Sequence, residues 1–443
     1  MDADETNKIF REAVEGKYPP QDTSRFTPLS TNELIDVLGL TIKRDEINKL
    51  ITFLAQLSAY TEDSQVNISF NAPSSTGKSF IPTEIARLFP KEDVIELGYC
   101  SPTAFFHQVG EYDKEKQGYI VNLSRKILIF LDQPHTLLLQ HLRPMLSHDK
   151  KEILLKITDK SQKAGLRTKN IYLIGYPAVI FCTAGLNLDE QEATRFLLLS
   201  PEINQEKIRE AILEKIKKES NNRSYNAYLE ADPRRKLLKE RILAIEDEGI
   251  HEIKIAHSEL IEKLFFERTK MLKPRHQRDI GRIISLVKVF ALLNVWYRDR
   301  EELAIVANDD DVQEAYKVWD EISESQELNL PPYVYNLYKD VILQAYRDKN
   351  GELDGVIKLG LRRQDILRRH YEVYGRHLPD WQLRQQIIPM IETAGLIFQE
   401  QDPSDKRNKL IYPTTPLTIS QAQNNSELDG GVEIASDTVG EKL

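Results

Sequence analysis

The segment Val66–Ser79 restricts the fold of this chain more than any other. Apolar residues alternate through Ile68 and Phe70, and a run of small residues then ends in Gly77-Lys78-Ser79, just before a helix-forming segment. This order predicts a β-strand, a phosphate-binding loop and a helix N-terminus. Successive backbone N–H groups and the positive end of a helix attract a polyphosphate, so the segment predicts a nucleotide site.

The predicted phosphate loop departs from its motif at one position. Ala72 stands where the motif has its first glycine, and alanine is small enough to be tolerated, although left-handed conformations are less accessible to it. We expect Lys78 to reach the outer phosphates and the Ser79 hydroxyl to ligate Mg²⁺. The alternative is an unrelated Gly-Lys-Ser turn. The predicted phosphate-binding residues are Ala72, Pro73, Ser74, Ser75, Thr76, Gly77, Lys78 and Ser79.

A second buried strand is predicted at 126–132, where large apolar residues end in the carboxylate of Asp132. Such a strand is expected beside the phosphate loop in a parallel sheet, with Asp132 facing the water shell of the metal. The next residue is Gln133, and an amide can position water but cannot accept its proton. Three explanations stay open. The base lies elsewhere, for instance at His135 or in a neighbouring subunit; hydrolysis is slow; or a Glu→Gln substitution at this position holds ATP unhydrolysed.

A β-hairpin is predicted from two β-capable runs, 153–158 and 166–174, around the turn-prone segment 161–165. It comes directly before another buried strand, Ala178–Thr183. Its charges form either a solvated face or a DNA-contacting loop. Its basic side chains are Lys156, Lys160, Lys163, Arg167 and Lys169.

Composition excludes several classes of protein. The formal charge of −9 over 443 residues argues against a wholly basic nucleic-acid binder, so DNA contacts must come from local patches. Cys100 and Cys182 lack paired spacing, which argues against a disulfide scaffold or a structural zinc. No signal peptide and no run of about 18 apolar residues is evident. We therefore expect a soluble, cytoplasmic protein without a membrane partner.

Three of these segments together resemble a known family. Ala72–Ser79, Ile127–Asp132 and the strand ending at Thr183 look like the Walker A, Walker B and sensor 1 elements of AAA+ ATPases. A hairpin just before sensor 1 is similar to the pre-sensor-1 hairpin clade, which includes minichromosome maintenance and superfamily 3 helicases. Segment 101–125 resembles the extra structure that this clade carries within its second helix.

The resemblance implies an ATPase that uses ATP and Mg²⁺ between the subunits of a hexameric ring. Arg195 precedes the strand at 196–199 and corresponds to the family's arginine finger, which reaches the ATP of the adjacent subunit. The alternative for Arg195 is a solvent-facing arginine at a helix end. Arg282 matches the family's sensor 2 arginine best, and Arg278 is the second candidate.

A winged-helix domain is predicted near the C-terminus. Helices at about 333–347, 362–374 and 379–393 precede two strands, at 395–398 and 409–412, joined by a polar segment. In that fold the third helix enters the major groove and the wing lies on the DNA backbone. Arg384 and Gln385 on the third helix, and Lys406 and Arg407 on the wing, are the predicted DNA contacts. Docking of another protein is the alternative.

The sequence therefore predicts an α/β AAA+ parallel sheet with a hairpin insertion, a helical lid and a winged helix. The expected function is that of an ATP-dependent DNA helicase or translocase, in replication or in the maintenance of a mobile element. The alternatives are an ATP-switched DNA-binding regulator or loader, and a protein remodeller. The predicted segments are a flexible arm at 1–30, the ATPase core at 31–203, the lid at 204–328, the winged helix at 329–414 and a disordered acidic tail at 415–443.

Overall fold

The computed structural model describes residues 21–98, 101, 111–159, 167–185, 194–301, 304–351 and 359–414. The chain forms two compact units, of which the first ends at Tyr333 and the second begins at Val334. The predicted tail at 415–443 and most of the predicted arm lie outside the described residues. No helix within the described ranges is both long enough and apolar enough to cross a membrane.

The strands of the first unit follow one another along the chain with the helices between them. The strands are β1 (Ile68–Asn71), β2 (Val94–Leu97), β3 (Glu111–Asp113), β4 (Gly118–Asn122), β5 (Ile127–Phe130), β6 (Glu152–Asp159), β7 (Arg167–Ile174), β8 (Ala178–Thr183), β9 (Leu197–Leu199), β10 (Glu252–Ile255), β11 (Asp299–Glu301) and β12 (Ala304–Ala307). The helices are α1 (Thr31–Leu38), α2 (Glu46–Leu57), α3 (Phe80–Ala86), α4 (Thr136–Leu146), α5 (Gln205–Ser220), α6 (Asn222–Ala231), α7 (Pro233–Glu248), α8 (Ser258–Arg268), α9 (His276–Leu293) and α10 (Asp309–Glu327).

A parallel sheet forms the centre of the first unit. Among the described residues it has five strands in the order β2-β5-β8-β1-β9. Every residue of β1, β5, β8 and β9 is buried, as their uninterrupted apolar runs require. The unit is therefore a mixed α/β structure with helices on its central sheet.

The strand order corrects one prediction. The strand that ends near Asp132 was expected next to the strand of the phosphate loop, but β8 pairs with both β1 and β5 and lies between them. The hydrophobic pattern could not settle this order, because β5 and β8 are equally apolar and either one could have occupied the position beside β1.

Different elements cover the two faces of the central sheet. On one face, α1, α2, α3, α9 and α10 contribute to a single apolar core with Ile68, Ile129 and Ile180. On the other face, α4 packs with the inward side of a second sheet, around Phe130 and Phe181. α1 begins at Thr31, because Ser30 and Glu33 cap each other's backbone N–H groups at 3.3 and 3.0 Å.

The second sheet of this unit has the strand order β3-β4-β7-β6. β6 and β7 are antiparallel partners, in the region where the sequence predicts a hairpin. β4 pairs in parallel with β7, so the strands of segment 111–122 and those of the hairpin form one continuous sheet. Residues 102–110 of the segment 101–125 lie outside the described residues.

Two predictions for this unit need correction. Residues 21–30 are not a free arm, since Phe26 is buried and its ring centroid lies 4.6 Å from that of Trp296. The predicted lid is not wholly helical, because β10, β12 and β11 form a small sheet within it. Its helix α5 also has an apolar face, but Ile208, Ile212 and Ile216 are 39%, 54% and 55% exposed.

The second unit combines helices with a two-stranded sheet. The helical segments are Pro332–Leu337, Tyr338–Ile342, Leu343–Asn350, Arg363–Tyr374, Asp380–Gln382, Leu383–Ile387 and Ile388–Thr393. The antiparallel strands are β13 (Ile397–Asp402) and β14 (Asp405–Pro413). They are longer than predicted because buried Asp402 accepts hydrogen bonds from Arg362 and Ser404, which closes a tight turn within the polar segment.

Candidate nucleotide-binding site

The loop after β1 has the backbone features of a phosphate cradle. Ser75 and Gly77 have φ angles of 65° and 93°, so Gly77 occupies a conformation that favours glycine. Ala72 does not need such a conformation; it is buried, and its N–H donates to the Thr183 carbonyl at 3.4 Å. The substitution of the first glycine is therefore compatible with this backbone.

Several backbone donors in the loop remain available. Within the described part of the chain, the N–H groups of Ser75, Gly77 and Ser79 donate to no backbone carbonyl. They precede α3, whose first residue is Phe80. Backbone donors of this kind suit an anion with several oxygens, which supports polyphosphate as the ligand.

Lys78 lies against its own loop and close to the end of β8. Its Nζ donates to the Pro73 carbonyl at 2.8 Å, and its carbonyl accepts the Cys182 thiol at 3.4 Å. Burial raises the pKa of Cys182 to about 12, while Lys78 acts in the opposite direction and Asp132 adds to the increase. Cys182 is therefore a neutral thiol packed between the loop and the strand ends.

The ends of β5 and β8 are joined by side-chain hydrogen bonds. Thr183 Oγ1 donates to Gln133 Oε1 at 3.1 Å, and Gly185 N–H donates to Thr183 Oγ1 at 2.9 Å. Asp132 Oδ1 accepts the Gln133 N–H at 2.8 Å. These bonds bring Asp132, Gln133 and Thr183 together at the carboxyl edge of the sheet.

His135, one of the suggested bases, has a structural role instead. Its Nδ1 accepts the N–H of Leu137 at 3.2 Å and so caps α4. A neutral ring that accepts at Nδ1 carries its proton on Nε2 and has no second lone pair for a water proton. The capping interaction therefore argues against His135 as the catalytic base.

Ser79 and Asp132 are the predicted magnesium ligands. Both are exposed, at the end of the phosphate loop and at the end of β5. No group of three potential metal-binding His, Cys, Asp or Glu side chains occurs among the residues that the structure describes. Mg²⁺ often binds through one or two protein oxygens together with phosphates and water, so this limited donor set fits a nucleotide-bound ion.

The three predicted arginines lie together, away from the phosphate loop. Arg195 precedes β9 and donates from Nε to Ser147 Oγ at 2.8 Å. Arg282 donates to the carbonyls of Thr194 and Phe196 at 2.8 and 3.0 Å, and Arg278 contacts the Thr194 hydroxyl. All three are thus at the amino end of β9, whereas the phosphate loop follows the carboxyl end of β1.

Arg282 is largely a buried structural residue. Its side chain is 12% exposed and forms an ion pair with Asp279 at 3.0 Å. Burial lowers the pKa of Arg282 to about 10, although Asp279 opposes the change. Arg278 is exposed, so it is more accessible to a ligand than Arg282 is.

The predicted DNA contacts differ in how far the structure describes them. Lys160 and Lys163 lie outside the described residues, as does the side chain of Arg167 on β7. In the second unit, Arg384 and Gln385 are exposed on the helical segment Leu383–Ile387. Lys406 and Arg407 are exposed on β14, where Arg407 pairs with Asp405 at 3.0 Å.

The sequence predicts Lys169 as a DNA contact, but it does not predict the contact of Lys169 with Tyr119 or the hydrogen bond between Gln133 and Thr183. Lys169 Nζ lies 5.6 Å from the centroid of the Tyr119 ring, within the second sheet. No local pattern could identify either relationship, because each joins strands that are distant along the chain.

Comparison with known proteins gives little further information. No family model matches the chain, and no curated protein matches it. One solved structure that resembles it is a full-length MCM homologue from Methanopyrus kandleri, with 12% identity and a TM-score of 0.43. The match covers 74% of this chain and 62% of that protein, so the chain spans less than two thirds of its length.

Proposed function

We propose that this chain is an ATPase motor of the AAA+ type that translocates on DNA. The observation that carries the proposal is the convergence of three features at one edge of the parallel sheet. These are the open N–H groups before α3, the Asp132 carboxylate, and the hydrogen bond between Thr183 and Gln133. Ligands of open α/β sheets bind beyond the carboxyl ends of the strands, which is where these groups lie.

The residues at this edge fit ATP and Mg²⁺. The loop Ala72–Ser79 would surround the phosphates, with Lys78 as the cation, and Ser79 and Asp132 would hold the metal. Bound ATP supplies a phosphoryl group for transfer to water. Thr183 and the amide of Gln133 would position that water, since both carry hydrogen-bonding groups at the strand ends.

The position of Arg195 supports a site shared between subunits. Ile68 pairs with Leu197 in the parallel register of β1 and β9, so Arg195 lies before the amino end of the sheet. A four-residue strand spans about 13 Å, which separates Arg195 from the loop that follows the other end of β1. Arg195 is thus better placed to meet the nucleotide of an adjacent subunit in a ring, which we propose to be a hexamer.

Within this proposal, the four-stranded sheet and the second unit contact DNA. In the pore of the ring, the DNA strand would contact four basic side chains of the predicted hairpin: Lys160, Lys163, Arg167 and Lys169. The second unit would act as a winged helix, with Arg384 and Gln385 at the bases or phosphates and Lys406 and Arg407 on the backbone. Replication or mobile-element maintenance is the process that such a motor would serve.

Electron microscopy with an ATP analogue and forked DNA tests the whole proposal. We expect a closed ring with density for one strand in the channel, and ATP-dependent strand displacement by the Gln133→Glu variant. Monomers under the same conditions, or the absence of ATP binding by folded protein, would overturn the motor proposal.

A second function is favoured by Gln133. Because its side chain cannot accept a proton, ATP could act as an assembly signal rather than as a fuel. The protein would then be an ATP-switched DNA-binding regulator or loader. ATP-dependent oligomers on duplex DNA, with no unwinding by wild type or by Gln133→Glu, would support this function over the motor.

A further inference from the structure

Two tyrosines form an aromatic pair on β3 and β4, and β3 is the edge strand of the four-stranded sheet among the described residues. Tyr112 on β3 is the registered partner of Tyr119 on β4, and their ring centroids are 5.4 Å apart in an edge-to-face arrangement. Tyr112 is 59% exposed on this edge strand. The outer ring of this pair is therefore accessible to a ligand.

Lys169 extends this pair into a row across three strands. Tyr119 pairs with Ile171 in the parallel register of β4 and β7, and side chains two residues apart point to the same face. Lys169 therefore shares the face of Tyr119, and its Nζ lies 5.6 Å from that ring centroid. The row Tyr112, Tyr119 and Lys169 thus combines two aromatic rings with one cation.

The sheet face that carries the row is buried at one end and exposed at the other. Val121 and Leu173 point to this face and are buried in the core with α4. Tyr119 is only partly buried against this core, and Tyr112 and Lys169 lie next to it on the same face. The row therefore stands at the border of the core, on strands whose positions the core fixes.

The acidic residues of β3 lie on the face opposite the row, whereas Asp159 on β6, the registered partner of Arg167, lies on the face of Lys169. Glu111 and Asp113 flank Tyr112 in sequence, and strand alternation places both on the opposite face. Lys116, in the turn between β3 and β4, forms an ion pair at 2.6 Å with Glu152, which lies on that opposite face. The row itself thus offers rings and a positive charge to an anionic partner.

The two strands that carry Tyr112 and Tyr119 are also joined by a closely packed turn. A side chain at Gly118 would lie 2.8 to 2.9 Å from atoms of Asn170 and Tyr172, so only glycine fits where β4 begins. Lys116 N–H donates to Asp113 Oδ1 at 2.8 Å in the connecting turn. A fixed platform can bind a flat ligand without first being ordered.

We propose that this row binds single-stranded nucleic acid, with Tyr112 as a stacking surface for a base and Lys169 beside the backbone phosphates. Aromatic rings that alternate with cations are the chemistry by which proteins hold unpaired strands without sequence preference. The inference rests on the proposed function, because a motor of that kind needs a grip on one strand. It assigns this grip to β3 and β4 as well as to the predicted basic hairpin.

The test is fluorescence anisotropy of the full chain with ATP and two labelled strands, oligothymidylate and a matched abasic strand. We expect wild type to bind oligothymidylate more tightly. Tyr112→Ala should weaken that binding roughly tenfold and leave abasic binding unchanged, whereas Tyr112→Phe should behave like wild type. Tyr228→Ala is the matched control, since Tyr228 is 62% exposed on α6 and lies outside this sheet.

Salt dependence separates stacking from charge. Tyr112→Ala should leave the slope of log K against log salt unchanged, whereas Lys169→Gln should reduce its magnitude by about 0.7. If Tyr112→Ala binds both strands like wild type, or loses both equally while remaining folded by circular dichroism, the stacking inference is wrong and the motor proposal stands. If wild type binds neither strand while it binds ATP, both the inference and the DNA motor are excluded.

Discussion

The hydroxyl of Thr183 donates to the side-chain oxygen of Gln133 at 3.1 Å, and this bond fixes which end of the amide is available to a ligand. With Oε1 engaged, the NH₂ group is the end left to contact water or phosphate. An NH₂ group donates hydrogen bonds and does not accept them. In the proposed ATP site, Gln133 can therefore position a water molecule but provides no base to deprotonate it.

Gln133→Glu is expected to accelerate ATP hydrolysis. A carboxylate can still accept the Thr183 hydroxyl with one oxygen and offers the other as a base. General-base catalysis of this kind contributes about 100-fold or more to kcat. Phosphate release at saturating ATP measures the change. ATP affinity should remain nearly constant, and an unchanged kcat would show that the base is supplied by another residue.

Lys78→Ala is expected to weaken ATP binding by about 10- to 100-fold, because a charge-assisted hydrogen bond contributes roughly 1.5–3 kcal/mol. Isothermal titration calorimetry on the folded variant gives the affinity. Lys91→Ala is a suitable control, since Lys91 is exposed and lies outside the loop. Equal affinities of Lys78→Ala and wild type would exclude the phosphate-loop interpretation.

Arg282 and Arg278 should differ in their effect on stability. Arg282→Ala removes one of the cations beside Asp279 and the donors to the Thr194 and Phe196 carbonyls. The free energy of unfolding should therefore fall by about 3 kcal/mol. Arg278→Ala should change stability by about 0.5 kcal/mol or less, because its side chain is exposed. Chemical denaturation followed by circular dichroism compares the two. Equal losses would contradict the buried role assigned to Arg282.

Features encoded by neighbouring residues were predictable from the sequence. The run Ile127–Phe130 had to be a buried strand, and the pairing of Ser30 with Glu33 had to start a helix, because each depends on neighbouring positions. The same holds for β8, whose six residues are all buried.

Features that depend on tertiary structure were not predictable. Phe26 is a lone aromatic residue in a polar segment, and only the presence of Trp296 explains its burial. The apolar residues on the exposed face of α5 have the same spacing as those on a buried helix face. The sequence therefore did not indicate that Ile212 is exposed. The position of β8 between β1 and β5 likewise left no trace in composition.

Glu246 should make the stability of the first unit depend on pH. Burial raises its pKa to about 7 from an ordinary value of 4.5, and Asp93 adds to the effect. The folded state therefore binds a proton more tightly than the unfolded state. Stability should fall as the pH rises from about 4.5 to 7, and the loss should be complete above pH 7.

Glu246→Gln removes this ionisation while keeping the side-chain size. At pH 8 the free energy of unfolding of the variant should be about 1–3 kcal/mol higher than that of wild type. Below pH 4.5 the two proteins should have nearly the same stability. Thermal unfolding at a series of pH values measures the difference. Glu248→Gln is a nearby comparison whose carboxylate pairs with Arg300, and a pH-independent gap for Glu246→Gln would contradict the assignment.

Arg195 and Lys78 should act in different subunits of one site. Arg195→Ala and Lys78→Ala are each expected to abolish ATP hydrolysis when tested alone. In a mixed ring, an interface is complete when one subunit keeps Lys78 and its neighbour keeps Arg195. Random mixing of the two variants in equal amounts creates such interfaces at about a quarter of positions, because the subunits are equivalent by symmetry. Mixing should therefore restore part of the wild-type rate.

The control for this experiment is the double variant Lys78→Ala/Arg195→Ala, mixed with Lys78→Ala. No interface in that mixture has both residues, so its rate should stay at the background level. If the two single variants fail to complement although size-exclusion chromatography shows that they assemble together, Arg195 does not act across the interface. Its bond to Ser147 at the amino end of β9 would then be its main role, which is to hold that end of the sheet in place.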